Sequence, residues 1–145
     1  MAVRLATLAL VACVALATGC SDDAPSERAA TPPSTVADND ADFFLTVSNQ
    51  SFEHPSVVVD VTIDNRRVVS ERFDVDGQHT FAEFALAVGP GDHTLRAASR
   101  DGTAIGEIFT IPDGAIRYGT LFYWEGDDGR PYFDLQFFDQ PPAFG

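Results

Sequence analysis

Tyr118, Phe122, Trp124, Tyr132 and Asp134 are the residues whose types and spacing best suit chemistry, and all lie in "AIRYGTLFYWEGDDGRPYFDLQFF" near the end of the chain. Two β-like runs there flank the turn residues Gly126 to Arg130. If Glu125 opposes Pro131, one face pairs Tyr123 with Phe133, Leu121 with Leu135 and Gly119 with Phe137, which is a core composition. The other face pairs Trp124 with Tyr132, Phe122 with Asp134, Thr120 with Gln136 and Tyr118 with Phe138. Rings beside an amide and a carboxylate offer stacking together with hydrogen bonds, as a sugar or peptide site requires. The competing expectation is that the tail Gln140-Pro141-Pro142-Ala143-Phe144, or a neighbouring loop, covers these rings. A register slip of one residue would exchange the two faces.

Other chemistry finds less support. The three histidines, His54, His79 and His93, are widely spaced, stand at turns or strand starts, and have no orienting partner nearby in sequence. No Gly-x-Ser-x-Gly elbow occurs. Met1 is the only methionine, so a copper(I) site built on thioethers is not expected. Asp38, Asn39, Asp40 and Asp42 superficially resemble the start of a calcium loop, but Phe43 and Asn49 stand where the turn glycine and the closing acid belong. Glu125-Gly126-Asp127-Asp128 reads as a solvated acidic turn. Asp60, Glu83, Glu107 and Asp134 fall at alternating strand positions, where acids on a wet sheet face are expected. The sequence therefore assigns no catalytic residue, no metal and no cofactor, and no enzyme is expected.

The two cysteines, Cys13 and Cys20, lie close to the start. Met1 to Gly19 has a secretory layout: Arg4, an apolar run from Leu5 to Leu16, then the small residues Ala17, Thr18 and Gly19. The run is shorter than the roughly 20 residues that span a bilayer. Cys20 follows at the seam, and then Ser21, Asp22 and Asp23. Leu16-Ala17-Thr18-Gly19-Cys20 resembles the lipobox of bacterial lipoproteins, with Ala17 where that family usually has leucine. An alternative box ending at Cys13 would leave too short an apolar core for export. The resemblance implies cleavage before Cys20, a diacylglyceryl thioether on its sulfur, and often a third acyl chain such as palmitate on its amine. Two or more chains anchor stably where one is marginal.

Ser21 to Asp42 is rich in Pro, Ser, Ala and acids and lacks both hydrophobic periods, so residues 20–42 are expected to be a lipidated, disordered acidic linker. Residues 43–145 alternate short β-like runs with turn residues. Eight strands are predicted: Phe43 to Ser48, Ser56 to Ile63, Arg67 to Phe73, Thr80 to Val88, His93 to Ser99, Ala104 to Ile111, Ile116 to Glu125, and Tyr132 to Phe138. Val57, Val59, Val61 and Ile63 should point inward, as should Ala82, Phe84, Leu86 and Val88. Asp64-Asn65 suits a tight hairpin with positive φ, and Asp76-Gly77, Asp101-Gly102 and Asp113-Gly114 suit further turns. "VVVDVTIDNRRVV" followed by "FALAVGPGDHTLRAASRDG" resembles bacterial Ig-like or prealbumin-like modules. That resemblance implies an all-β antiparallel sandwich, an architecture rather than an activity.

The formal charge is −13, and all nine basic residues are arginine. Removing residues 1–19, which carry Arg4 and no acid, makes the remainder one unit more negative. Such a chain repels polyanions, so no nucleic-acid partner is expected. Attraction to anionic lipid headgroups is excluded by the same argument, which leaves the lipid anchor as the means of membrane attachment. The sequence thus predicts a lipid-anchored protein on the extracytoplasmic face of the cell membrane, presenting a non-enzymatic β-sandwich to an envelope protein or glycan. The rival expectation is a lipid-tethered hydrolase acting on cell-wall glycan.

Overall fold

The computed structural model describes residues 31–75 and 81–144. Cys20, Ser21 to Ala30 of the expected linker, the Asp76-Gly77 turn and His79 lie outside the described residues. Among the described residues nine strands are formed: β1 (Ser34–Thr35), β2 (Phe43–Asn49), β3 (Ser56–Ile63), β4 (Arg66–Asp74), β5 (Ala82–Ala87), β6 (Gly91–Ser99), β7 (Ala104–Ile111), β8 (Arg117–Glu125) and β9 (Pro131–Phe138). They make a five-stranded sheet in the order β1-β5-β2-β8-β9 and a four-stranded sheet in the order β4-β3-β6-β7. The two inner faces close over one core as a β-sandwich. Eight of the strands correspond to those predicted from the sequence.

The β3 valines illustrate why alternation decides the packing. Val57, Val59, Val61 and Ile63 are buried, whereas Val58, Asp60 and Thr62 between them are only partly so. Asp64 and Asn65 then take φ values of 50° and 65°, as a tight hairpin with right-handed twist requires. Across the core, Phe43, Leu45, Val47, Leu86, Leu121 and Tyr123 complete the apolar layer. Phe109 of β7 stacks on Phe137 of β9 at 4.8 Å and packs on Phe43 at 4.7 Å, closing the side where the two sheet edges meet.

One glycine is fixed by that packing. A Cβ on Gly119 would stand 2.9 Å from Cζ of Phe43, so the ring occupies the space a side chain would need.

Two features depart from the expected plan. First, β2 pairs with β8 in parallel, from Phe43 opposite Arg117 to Asn49 opposite Tyr123, in a sheet otherwise antiparallel. Second, the described part of the expected linker is structured well before Phe43. β1 pairs with β5 through Ser34 with Ala87 and Thr35 with Leu86, and Pro33 is buried. A 3-10 turn follows at Asp38–Asp40. Asp42 fixes the join: its carboxylate accepts from the N–H groups of Val88 and Gly89, each at 2.8 Å, and its backbone bonds to Leu86 and Arg117. The acids read as a solvated run thus include one that satisfies backbone donors at the end of β5.

Candidate functional site

The last hairpin has the register expected from its turn. Trp124 opposes Tyr132, Phe122 opposes Asp134, Thr120 opposes Gln136 and Tyr118 opposes Phe138. Their side chains share the outer face of the five-stranded sheet, opposite Leu121, Tyr123 and Phe133 in the core.

What the hairpin cannot reveal by itself is its neighbours. β2 places Phe44 beside Tyr118 and Thr46 beside Thr120, and β5 places Glu83 beside Thr46. A polar row therefore crosses four strands: Glu83, Thr46, Thr120 and Gln136. At about 4.8 Å per strand it is roughly 14 Å long. Along one side run Phe44, Tyr118 and Phe138; the Phe44 and Tyr118 rings stack at 5.6 Å with 16° between their planes. Along the other lie Phe122 and Asp134, with Trp124 and Tyr132 beyond them.

The C-terminal tail crosses this second side. Arg117 donates to the carboxylate of Asp139 and holds the root of the tail. Phe144, at its far end, packs on Phe81 at 5.0 Å and on Phe122 at 6.0 Å, the former just before β5 and the latter on β8. Between tail and sheet is an open cavity of about 610 Å³, lined by Thr120, Phe122, Gln136 and Phe138 from the sheet and by Pro141, Pro142 and Phe144 from the tail.

The five sequence-selected residues thus share a face but not an environment. Tyr118 is stacked on Phe44, Phe122 lies under Phe144, Trp124 and Asp134 are half-buried, and Tyr132 is 47% exposed. Asp134 accepts from the Gln136 amide N–H at 3.1 and 3.0 Å. The tail covers part of the aromatic face, as one of the two expectations has it, and leaves Tyr132 open.

A second polar group sits at the end of the sandwich where β8 turns into β9. Tyr123 is buried, and its hydroxyl donates to Asp101 in the β6–β7 turn; the Ser99 hydroxyl donates to the same carboxylate. Burial works against the Asp101 charge, but the bonds from Ser99, Tyr123 and Thr103 outweigh it, so this carboxyl is held well below its ordinary range. Burial and the adjoining Asp101 charge push the Tyr123 phenol well above its own. The tyrosine is consequently a fixed donor and not a base, and it ties one sheet to a turn of the other. His54 makes a 3.4 Å contact with Glu125 nearby and packs its ring edgewise on Tyr123.

His93 also ties elements together. Its ring contacts the Asp64 carboxylate at 2.7 Å and the Gly89 carbonyl at 3.0 Å, and Asp64 accepts from the Thr94 N–H at 3.0 Å. For Asp64, burial raises and these bonds lower, with a net fall below the ordinary value. These contacts give His54 and His93 structural surroundings. Among the described residues, no group of three or more His, Cys, Asp or Glu could hold a metal ion, and no helix is long and apolar enough to cross a membrane.

No family model, curated protein or solved structure matches this chain.

Proposed function

We propose that this chain is an exported lipoprotein, held to the cell membrane by acyl chains on Cys20, whose β-sandwich is a non-enzymatic module that binds envelope material through the outer face of its five-stranded sheet. The anchoring half rests on the lipobox-like Leu16 to Cys20. The binding half rests on one observation, the difference between the two outer faces. The five-stranded face carries Phe44, Tyr118, Phe122, Trp124, Tyr132 and Phe138 around a polar row. The outward positions of β3, β4, β6 and β7 carry no aromatic side chain among the described residues. Folding alone requires no such asymmetry, because both inner faces already supply the core.

The hydrolase reading is less well supported by the spacing of the acids. Glu83 and Asp134, the carboxylates at outward strand positions of this sheet, stand on strands separated by three spacings, roughly 14 Å, and Asp139 in the tail is engaged by Arg117. Paired glycosidase carboxylates work at about 5 to 9.5 Å.

Mass spectrometry of the mature N-terminus tests the anchor. An acylated Cys20 is expected, and replacement by serine should abolish both acylation and normal cleavage; an unacylated protein beginning elsewhere would contradict it. Sedimentation with washed cell envelopes tests the binding half, using the chain from Ser21 onward so that neither acyl chains nor the apolar leader plays a part. This chain should co-sediment and its Tyr132→Ala derivative should not. Equal sedimentation of the two would overturn the reading.

A further inference from the structure

The cavity between the tail and β8–β9 has a chemistry specific enough to name a ligand class. Its floor holds the exposed Gln136 amide and the side chain of Thr120, which is 5% exposed. Its walls are the rings of Phe122, Phe138 and Phe144. Hydroxyl and amide groups both donate to and accept from hydroxyls, while aromatic faces stack on the C–H faces of a sugar ring. Asp139 lines the cavity with its charge met by Arg117, the carboxylates of Glu83 and Asp134 stand on the same sheet face, and the whole chain is strongly acidic, so anionic ligands are disfavoured. The backbone of β8 is paired on both sides, with β2 and with β9, so a peptide cannot add there as a further strand. A volume of about 610 Å³ falls in the usual range of small-molecule sites.

We propose that this cavity binds a segment of neutral, hydroxyl-rich oligosaccharide, seated on Thr120 and Gln136 and clamped by Phe144. The proposal rests on the binding reading above and adds the ligand class to it. Phe144 is assigned as a clamp rather than a plug because the space between it and the floor is open while the tail is in place.

Trp124 is the chain's one tryptophan and lies on this face, so its emission reports binding directly. The chain from Ser21 onward is titrated with neutral tetrasaccharides, chitotetraose and maltotetraose, and with anionic tetragalacturonate, following Trp124 fluorescence. At least one neutral sugar should give a saturable change and the anionic one none. Gln136→Leu, an exposed substitution, should weaken binding about five- to tenfold without moving the melting temperature, matching the loss of one hydrogen bond. Thr120→Val should do the same, with circular dichroism confirming its fold. Phe144→Ala should weaken binding by a similar factor; tighter binding would overturn the clamp. If no neutral sugar binds while the chain still sediments with envelopes through Tyr132, the glycan assignment fails and the binding reading stands. If sedimentation also ignores Tyr132, both fail.

Discussion

The two outer faces of this sandwich are built on the same rule and filled differently. On both sheets every second residue points away from the one core they share. On the four-stranded sheet the outward positions hold Ser70 and Arg72 on β4, Val58, Asp60 and Thr62 on β3, Arg96 and Ala98 on β6, and Ala104, Gly106 and Ile108 on β7, with no aromatic ring. That is an ordinary solvated surface, with a shallow groove of about 450 Å³ among small residues. On the five-stranded sheet the equivalent positions hold rings in rows around a polar row, and a tail has been laid across them. The four-stranded face is an internal control: it shows what this chain does with a sheet face that only has to be wet.

The comparison can be broken or sharpened by substitution, and the largest effect is expected where neither outer face is involved. Gly119→Ala places a methyl group 2.9 Å from Phe43, in a core without room for it. It should destabilise by about 1 to 3 kcal/mol in a denaturant titration, and Phe43→Leu in the same chain should recover part of the loss. A loss larger than this at Trp124→Ala would move that ring from the binding face into the core.

A smaller effect follows from acid. The carboxyls of Asp101 and Asp64 have lower affinity for protons when folded than when unfolded. Their contribution is therefore complete above the ordinary carboxylate value of 3.8 and is lost as pH falls below it, since the unfolded chain then binds more protons. Melting temperature should drop below about pH 4. Asp101→Asn should lower stability at neutral pH and flatten that acid slope. An unchanged slope would mean that the tie between Tyr123 and Asp101 contributes nothing.

The smallest effects on stability belong to the outer faces. Tyr132→Ala and Ile108→Ser, at positions 47% and 73% exposed on opposite sheets, should each change stability by no more than about 0.5 kcal/mol. They should differ in envelope sedimentation, where only Tyr132→Ala has an effect. If Ile108→Ser releases the chain as well, the two faces are not distinguished by function.

Much of this contrast was legible in the sequence because hairpins are local. Gly126 to Arg130 and the alternating rings on either side are contiguous, so the turn fixes which residues of β8 and β9 meet. The inward valines of β3 were legible for the same reason. Phe44, Thr46 and Glu83 were not visible as members of the site, because they reach it through the parallel pairing of β2 with β8 and through β5, contacts between segments far apart in the chain. Nor does Pro141-Pro142-Ala143-Phe144 carry a hydrophobic period that says where it will lie. Composition offers the tail as a cover for the rings without fixing its path. β1 escaped detection because a two-residue strand has no period to read, and Asp42 looked like one more solvated acid until its carboxylate was seen to cap Val88 and Gly89.

Hydroxyl-radical footprinting of the chain from Ser21 onward, with and without washed cell envelopes, tests the functional difference between the faces most directly. Side chains on both outer faces are read in one experiment by mass spectrometry. Protection confined to Phe122, Trp124 and Tyr132, with Ile108 and Arg96 as reactive as in the free chain, is the predicted result. Protection of Ile108 and Arg96, or equal reactivity at all five residues with and without envelopes, would contradict it.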